Sequence, residues 1–123
     1  MSVWYAIPSK RPQGEAQALF NEWEKLGFRT AAYRDHGDSY LKVQLLVFGE
    51  YQGYPHAVNK LCRDIITMDP AASIIVTGGD DYKPDPKIDL RLEEAKFIDH
   101  FKGTFGVMQP TGDRHMIDPV TNT

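Results

Sequence analysis

The apolar residues of this chain switch repeatedly between two spacings, and that alternation restricts the fold more than any other feature of the sequence. Val3 to Ile7 is a short β-branched and aromatic run stopped by Pro8 and Ser9, the pattern of a buried strand ending in a loop. Pro12 suits a first helical turn, and Ala16, Leu19, Phe20, Trp23 and Leu26 then recur at three- and four-residue spacing until Gly27 closes the segment. Phe28 to Arg34 returns to a strand-like pattern, and Asp35 to Ser39 is dense in turn residues. Leu41 to Phe48 reads as a further strand, its crowded Val43, Leu45, Leu46 and Val47 fitting one covered on both faces.

The same switching continues along the chain. Tyr54-Pro55 opens a second helix with Ala57, Val58, Leu61, Cys62, Ile65, Ile66 and Met68 on one broad face, and Asp69-Pro70 ends it. Ser73 to Thr77, uncharged and β-branched, is expected in the middle of a sheet. Lys83-Pro84-Asp85-Pro86 makes a rigid turn, Leu90 to Phe101 a third helix before Gly103, and Thr104 to Met108 a further strand. The expected fold is α/β, a three-layer α/β/α arrangement on a mostly parallel, Rossmann-like sheet, spanning residues 1–108 with a polar tail at 109–123. Ligands of such sheets bind where the loops leave the carboxyl ends of the strands.

Composition narrows the function classes. At 123 residues, with 41% hydrophobic and 25% charged residues, the chain matches one soluble globular domain. A net charge of -3 with scattered basic residues disfavours long nucleic acid and anionic membrane surfaces. The lone Cys62 cannot form an internal disulfide, and no apolar run approaches the roughly 20 residues that span a bilayer. With no charged leader ahead of the first apolar run, the cytoplasm is the expected location.

The sharpest chemical feature is Thr77-Gly78-Gly79-Asp80-Asp81, two glycines and two carboxylates at the exit of a buried strand. Glycine lets a ligand approach the backbone, and adjacent carboxylates repel unless a positive group, such as a divalent cation carrying a diphosphate, sits near them. A solvated turn is the alternative for such a tetrapeptide. Pro8-Ser9-Lys10-Arg11-Pro12 is a basic loop that could meet phosphate oxygens, although it lacks the glycines and the Lys-Ser/Thr pair of a P-loop. Asp35 follows the second strand, where a carboxylate could accept hydrogen bonds from a base or a ribose. Asn59 and Lys60 lie on the second helix; Asn59 carries a propensity cost there, and Lys60 also fits a solvated face. His36, His56, His100 and His115 have no metal-ligand spacing, so a structural zinc site is not expected.

In order and in type these segments resemble the GT-A-fold nucleotide-sugar glycosyltransferases, in particular the large inverting family, family 2. Ala6 to Pro12 resembles that family's first strand and nucleotide-binding loop, Arg34-Asp35 its base-contacting acidic residue, Gly53 to Lys60 its glycine-to-asparagine helix start, and the strand into Asp80-Asp81 its Asp-X-Asp segment. Phe105 to Arg114 also resembles uncharacterised phage and bacterial proteins with such a domain. The resemblance implies a GT-A-like donor-binding half that takes a nucleoside-diphosphate sugar through Mn2+ or Mg2+ and passes the sugar to an acceptor. It implies phosphate or sugar contacts from Pro8, Ser9, Lys10, Arg11, Asn59, Lys60, Gly78 and Gly79, a base contact from Asp35, and metal ligands Asp80 and Asp81. Because the loop reads Gly-Gly-Asp-Asp, Gly78 stands at the first carboxylate position and Asp80 is the leading ligand. Asp113, in Gly112-Asp113-Arg114-His115, is the one late carboxylate suited to a catalytic role. The resemblance spans Val3 to Arg114 and stops short of the acceptor half, so a non-catalytic nucleotide-binding or sequestering module is the alternative, and self-association into a homo-oligomer is compatible with either.

Overall fold

A computed structural model describes residues 2–80 and 83–101 of the chain. Four strands, β1 (Ser2–Pro8), β2 (Arg29–Arg34), β3 (Leu45–Phe48) and β4 (Ala72–Val76), form one sheet in the order β3-β2-β1-β4, with every pair parallel. Three helices, α1 (Gln13–Lys25), α2 (Tyr54–Met68) and α3 (Leu90–Phe101), complete the described elements. The expected three-layer, Rossmann-like α/β architecture is present, and no helix among the described residues is long and apolar enough to cross a membrane.

The layers follow from the two-residue period of β1. Val3, Tyr5 and Ile7 point into a core with Ala16, Leu19, Phe20 and Trp23 of α1, whereas Trp4 and Ala6 point the opposite way, onto Ala57, Leu61 and Ile65 of α2. Tyr5 stacks on Trp23 with ring centroids 4.0 Å apart, and Phe28 meets the same indole edge-on at 4.9 Å. Such aromatic pairs add roughly 0.5–1.5 kcal/mol beyond their buried area. The tight turn after α1 depends on Gly27, whose φ of +98 would strain any other residue.

The structure corrects the sequence reading in three places. The strand expected over Leu41 to Phe48 starts only at Leu45. Its first half is instead a loop folded over the α1 layer, with Leu41 fully buried there. The Gln17 amide clasps that loop, donating from Nε2 to the Lys42 carbonyl at 3.0 Å and accepting the Lys42 N–H at 2.7 Å. On α2, the buried stripe is the i, i+4 series Ala57, Leu61, Ile65, while Ile66 and Met68 rotate outward and are 60% and 48% exposed. Finally, β4 is not central among the described residues: it pairs with β1 alone and is half-buried along its length. The further strand expected at 104–108 and the tail at 109–123 lie outside the described residues.

At the amino end of the sheet, Asp69 closes the turn after α2. It accepts hydrogen bonds from the Ser2 hydroxyl, from Trp4 Nε1 at 2.9 Å and from the Ala71 N–H at 3.1 Å, with Arg29 Nη1 3.7 Å away. The Ser2 and Trp4 hydrogen bonds hold its carboxyl below the ordinary value of 3.8. A depressed folded-state value means that the stabilisation is complete above the unfolded value and fades as the pH falls through the folded one. Asp69→Asn is therefore expected to lower Tm at neutral pH, with the variant and wild-type curves converging once the pH has fallen through the depressed folded-state value. Thermal denaturation across pH checks this, and a gap that stays constant into strong acid contradicts it.

Candidate functional site

Parallel strands leave all their carboxyl ends on one edge, and the strand order reverses direction at β1: the chain moves from β1 to β2 and β3, then crosses back on the other face to β4. A crevice at such a reversal is where open α/β sheets bind ligands. A cleft of about 290 Å³ sits at this position, lined by Pro8, Ser9, Lys10, Tyr33, Asp35, Tyr51, Tyr54, Gly78, Gly79 and Asp80. Seven of the sequence-predicted site residues, Pro8, Ser9, Lys10, Asp35, Gly78, Gly79 and Asp80, thus meet in one cavity. Arg11 joins them through its ion pair with Asp80.

The charged side chains are matched across the cleft. Lys10 Nζ lies 3.1 Å from Asp35 Oδ2, and Arg11 Nε lies 3.3 Å from Asp80 Oδ1. The Lys10 ammonium beside Asp35 holds that carboxyl below its ordinary value, and the His36 N–H, donating to Asp35 Oδ1 at 3.0 Å, adds to the effect. Arg11 also reaches Glu15 at 3.6 Å, one turn along α1.

Three tyrosines line the same cleft as these charges. Tyr33 is buried, with its hydroxyl donating to the Glu50 carbonyl at 2.7 Å. Tyr51 and Tyr54 are 40% and 39% exposed at the rim. The Tyr54 hydroxyl shares a 2.7 Å hydrogen bond with Thr77 Oγ1, and Lys10 Nζ sits 5.7 Å from the Tyr51 ring centre. Gly49 is packed so tightly against Tyr33 that a Cβ there would lie 2.5 Å from the tyrosine oxygen.

The loops are held in place by Arg34, which is only 1% exposed. Its guanidinium donates to the carbonyls of Ser9 at 3.2 Å and Arg11 at 2.8 Å, and on its other side to the carbonyl and hydroxyl of Ser39 at 3.2 and 2.8 Å. Ser9 Oγ accepts the Arg11 N–H at 3.3 Å, and the Ser9 N–H donates to the Tyr33 carbonyl at 3.1 Å. The backbone beneath Lys10 and Arg11 is thereby fixed, while their side chains are 65% and 40% exposed.

Two predicted residues lie elsewhere. Asn59 is exposed on α2, and Lys60 pairs with Asp64 at 3.1 Å one turn along; neither lines the cleft, because both sit beyond the first turn of α2, the part of the helix that reaches the carboxyl edge. Asp81 and Asp113 are outside the described residues. A larger cleft of about 660 Å³ opens at the opposite, amino end of the sheet, lined by Gly27, Arg29, Leu90, Arg91 and Glu94 among others. Its buried carboxylate, Glu94, is bound to the Ser73 hydroxyl, so size alone does not make it the functional centre. The smaller cleft has the strand ends, the glycines and the paired charges.

No protein-family model, curated protein or solved structure matches the chain.

Arg34→Met should remove the four hydrogen bonds and leave the buried Ser9 carbonyl and the part-buried Arg11 and Ser39 carbonyls without this donor, lowering unfolding free energy by about 3 kcal/mol. Gly49→Ala should cost about 1–3 kcal/mol through overpacking against Tyr33. Urea denaturation measures both; losses below about 0.5 kcal/mol, typical of featureless surface changes, would contradict these roles.

Proposed function

We propose that the cleft binds a nucleoside diphosphate, presented as the donor half of a nucleotide sugar, and that the chain is a GT-A-like glycosyltransferase domain. The observation that supports this reading is that one cleft brings together two cations, Lys10 and Arg11, and two partly exposed aromatic rings, Tyr51 and Tyr54, with Lys10 Nζ 5.7 Å from the Tyr51 ring centre. A nucleotide likewise joins anionic phosphates to an aromatic base. Lys10 and Arg11 would meet the phosphates by charge-assisted hydrogen bonds, the exposed tyrosine rings would cover the base, and Asp35 would accept a hydrogen bond from base or ribose. Gly78 and Gly79 would leave room for the diphosphate against the backbone. Cytoplasmic residence belongs to the same reading.

Asp80 supplies the hard oxygen donor that Mg2+ or Mn2+ prefers, with Asp81 next in the chain. Among the described residues no three acidic, histidine or cysteine side chains gather as a cation site. A divalent cation at Asp80, with Asp81 assisting, would complete its shell from phosphate oxygens and water, the usual habit of Mg2+. Bound there, it would act as a Lewis acid toward the leaving diphosphate. Asp113, the late carboxylate next to Arg114 and His115 in the sequence, stays part of this proposal as the candidate catalytic residue.

One observation favours a second reading, nucleotide binding without turnover: both described carboxylates of the cleft are engaged by cations, so neither stands ready as a general base. Thermal stability with a panel of nucleoside diphosphates and their sugar conjugates, with and without Mn2+, tests the shared core of the two readings. Binding at one hundred times Kd stabilises by about 2.7 kcal/mol. A Tm rise with diphosphates that Lys10→Ala/Arg11→Ala loses is the expected result, and no shift with any ligand would overturn it. Release of free nucleoside diphosphate from the sugar conjugate then marks transfer or hydrolysis; stabilisation without release marks the binding module.

A further inference from the structure

The two ion pairs of the cleft occupy the same cations that a bound phosphate would need. Lys10 is held by Asp35 at 3.1 Å, and Arg11 is held by Asp80 at 3.3 Å and by Glu15 at 3.6 Å. The Arg11–Asp80 pair joins the loop after β1 to the loop after β4, and so bridges the crevice between the two strands where a ligand would enter. The Arg11 backbone is fixed, its carbonyl by Arg34 and its N–H by Ser9, while the arginine side chain is 40% exposed. Exposed ion pairs of this kind are weak, so they exchange readily with a stronger anion.

We infer that Asp80 is an internal competitor for the ligand's phosphate, and that it makes the cleft selective for ligands bearing two or more anionic groups. This rests on the nucleotide reading of the cleft. A ligand with a single phosphate can replace one carboxylate at most, and it leaves the other cation paired while its own charge faces Asp80 or Asp35. A diphosphate offers an anionic group to each cation, so Lys10 and Arg11 both exchange a carboxylate for a phosphate. Asp80 thereby sets specificity by repulsion as much as Arg11 sets it by attraction.

The sign of this effect separates it from a supporting or ligand-contacting role. In the absence of divalent cations, Asp80→Asn should tighten binding of the diphosphates by roughly two- to fivefold, the scale of an exposed ion pair. The gain should be larger for the corresponding monophosphates, narrowing the preference between the two. In an Arg11→Gln background the same substitution should give no gain, because the competition is for Arg11. Isothermal titration calorimetry in EDTA with ADP, GDP, UDP and CDP, each beside its monophosphate, reads all three. Wild-type binding that Asp80→Asn leaves unchanged or weakens overturns the inference while the nucleotide reading stands. Failure of every nucleotide to bind both the wild type and Asp80→Asn overturns the nucleotide reading itself, and this inference with it.

Discussion

Burial of β1 on both faces is the constraint from which the rest of the structure follows. Its odd-numbered residues are committed to the α1 layer and its even-numbered ones to the α2 layer, so a slip of one residue would exchange every contact on both sides. Tyr5 could not leave Trp23, nor Trp4 leave Asp69, without losing a buried aromatic contact or a hydrogen bond. With β1 fixed, β2 and β4 pair with it in parallel and bring their carboxyl ends to the same edge. The cleft is a geometric result of that pairing, and the residues of its loops need only suit the ligand.

Within the cleft, rigidity and exchangeability are assigned to different groups. Arg34 is a buried charge satisfied by carbonyls and a hydroxyl, and it holds the backbone of Ser9 and Arg11 in one arrangement. A buried guanidinium is costly to desolvate, and it persists here because its donors are spent on loop carbonyls that would otherwise lack partners. Tyr33 does similar work on the other side, where its hydroxyl holds the loop after β3 and Gly49 allows the close approach. The side chains that would meet a ligand, Lys10, Arg11, Tyr51 and Tyr54, are by contrast partly exposed and held only by contacts near the surface.

Much of this arrangement was legible in the sequence, for physical reasons. The change from two-residue to helical spacing located every described strand and helix, because burial of a face leaves a period in the chain. The convergence of Pro8 to Lys10, Asp35 and Gly78 to Asp80 followed from the parallel topology, which puts the ends of consecutive strands on one edge. What failed had no local signal. β4 is more apolar than an edge strand usually is, yet only the pairing order decides its place among the described strands. Leu41 and Val43 alternate like a strand, but the Gln17 amide from a distant helix holds that segment as a loop. Arg34 reads as a polar stop after Thr30-Ala31-Ala32-Tyr33, and its burial depends on carbonyls from two other loops. The tyrosine lining is likewise assembled from residues that are separate in sequence, Tyr33, Tyr51 and Tyr54.

The central claim is that a nucleoside diphosphate enters at the reversal between β1 and β4 and takes Lys10 and Arg11 as its phosphate partners. Backbone amide NMR during titration with a nucleoside diphosphate tests it most directly, because every loop of the cleft carries its own reporter. The account predicts shifts concentrated at Ser9 to Arg11, Asp35, Tyr51 to Tyr54 and Gly78 to Asp80, with the amino end of the sheet silent. Shifts centred on Arg29, Leu90 and Glu94, or none at saturating ligand, would contradict it.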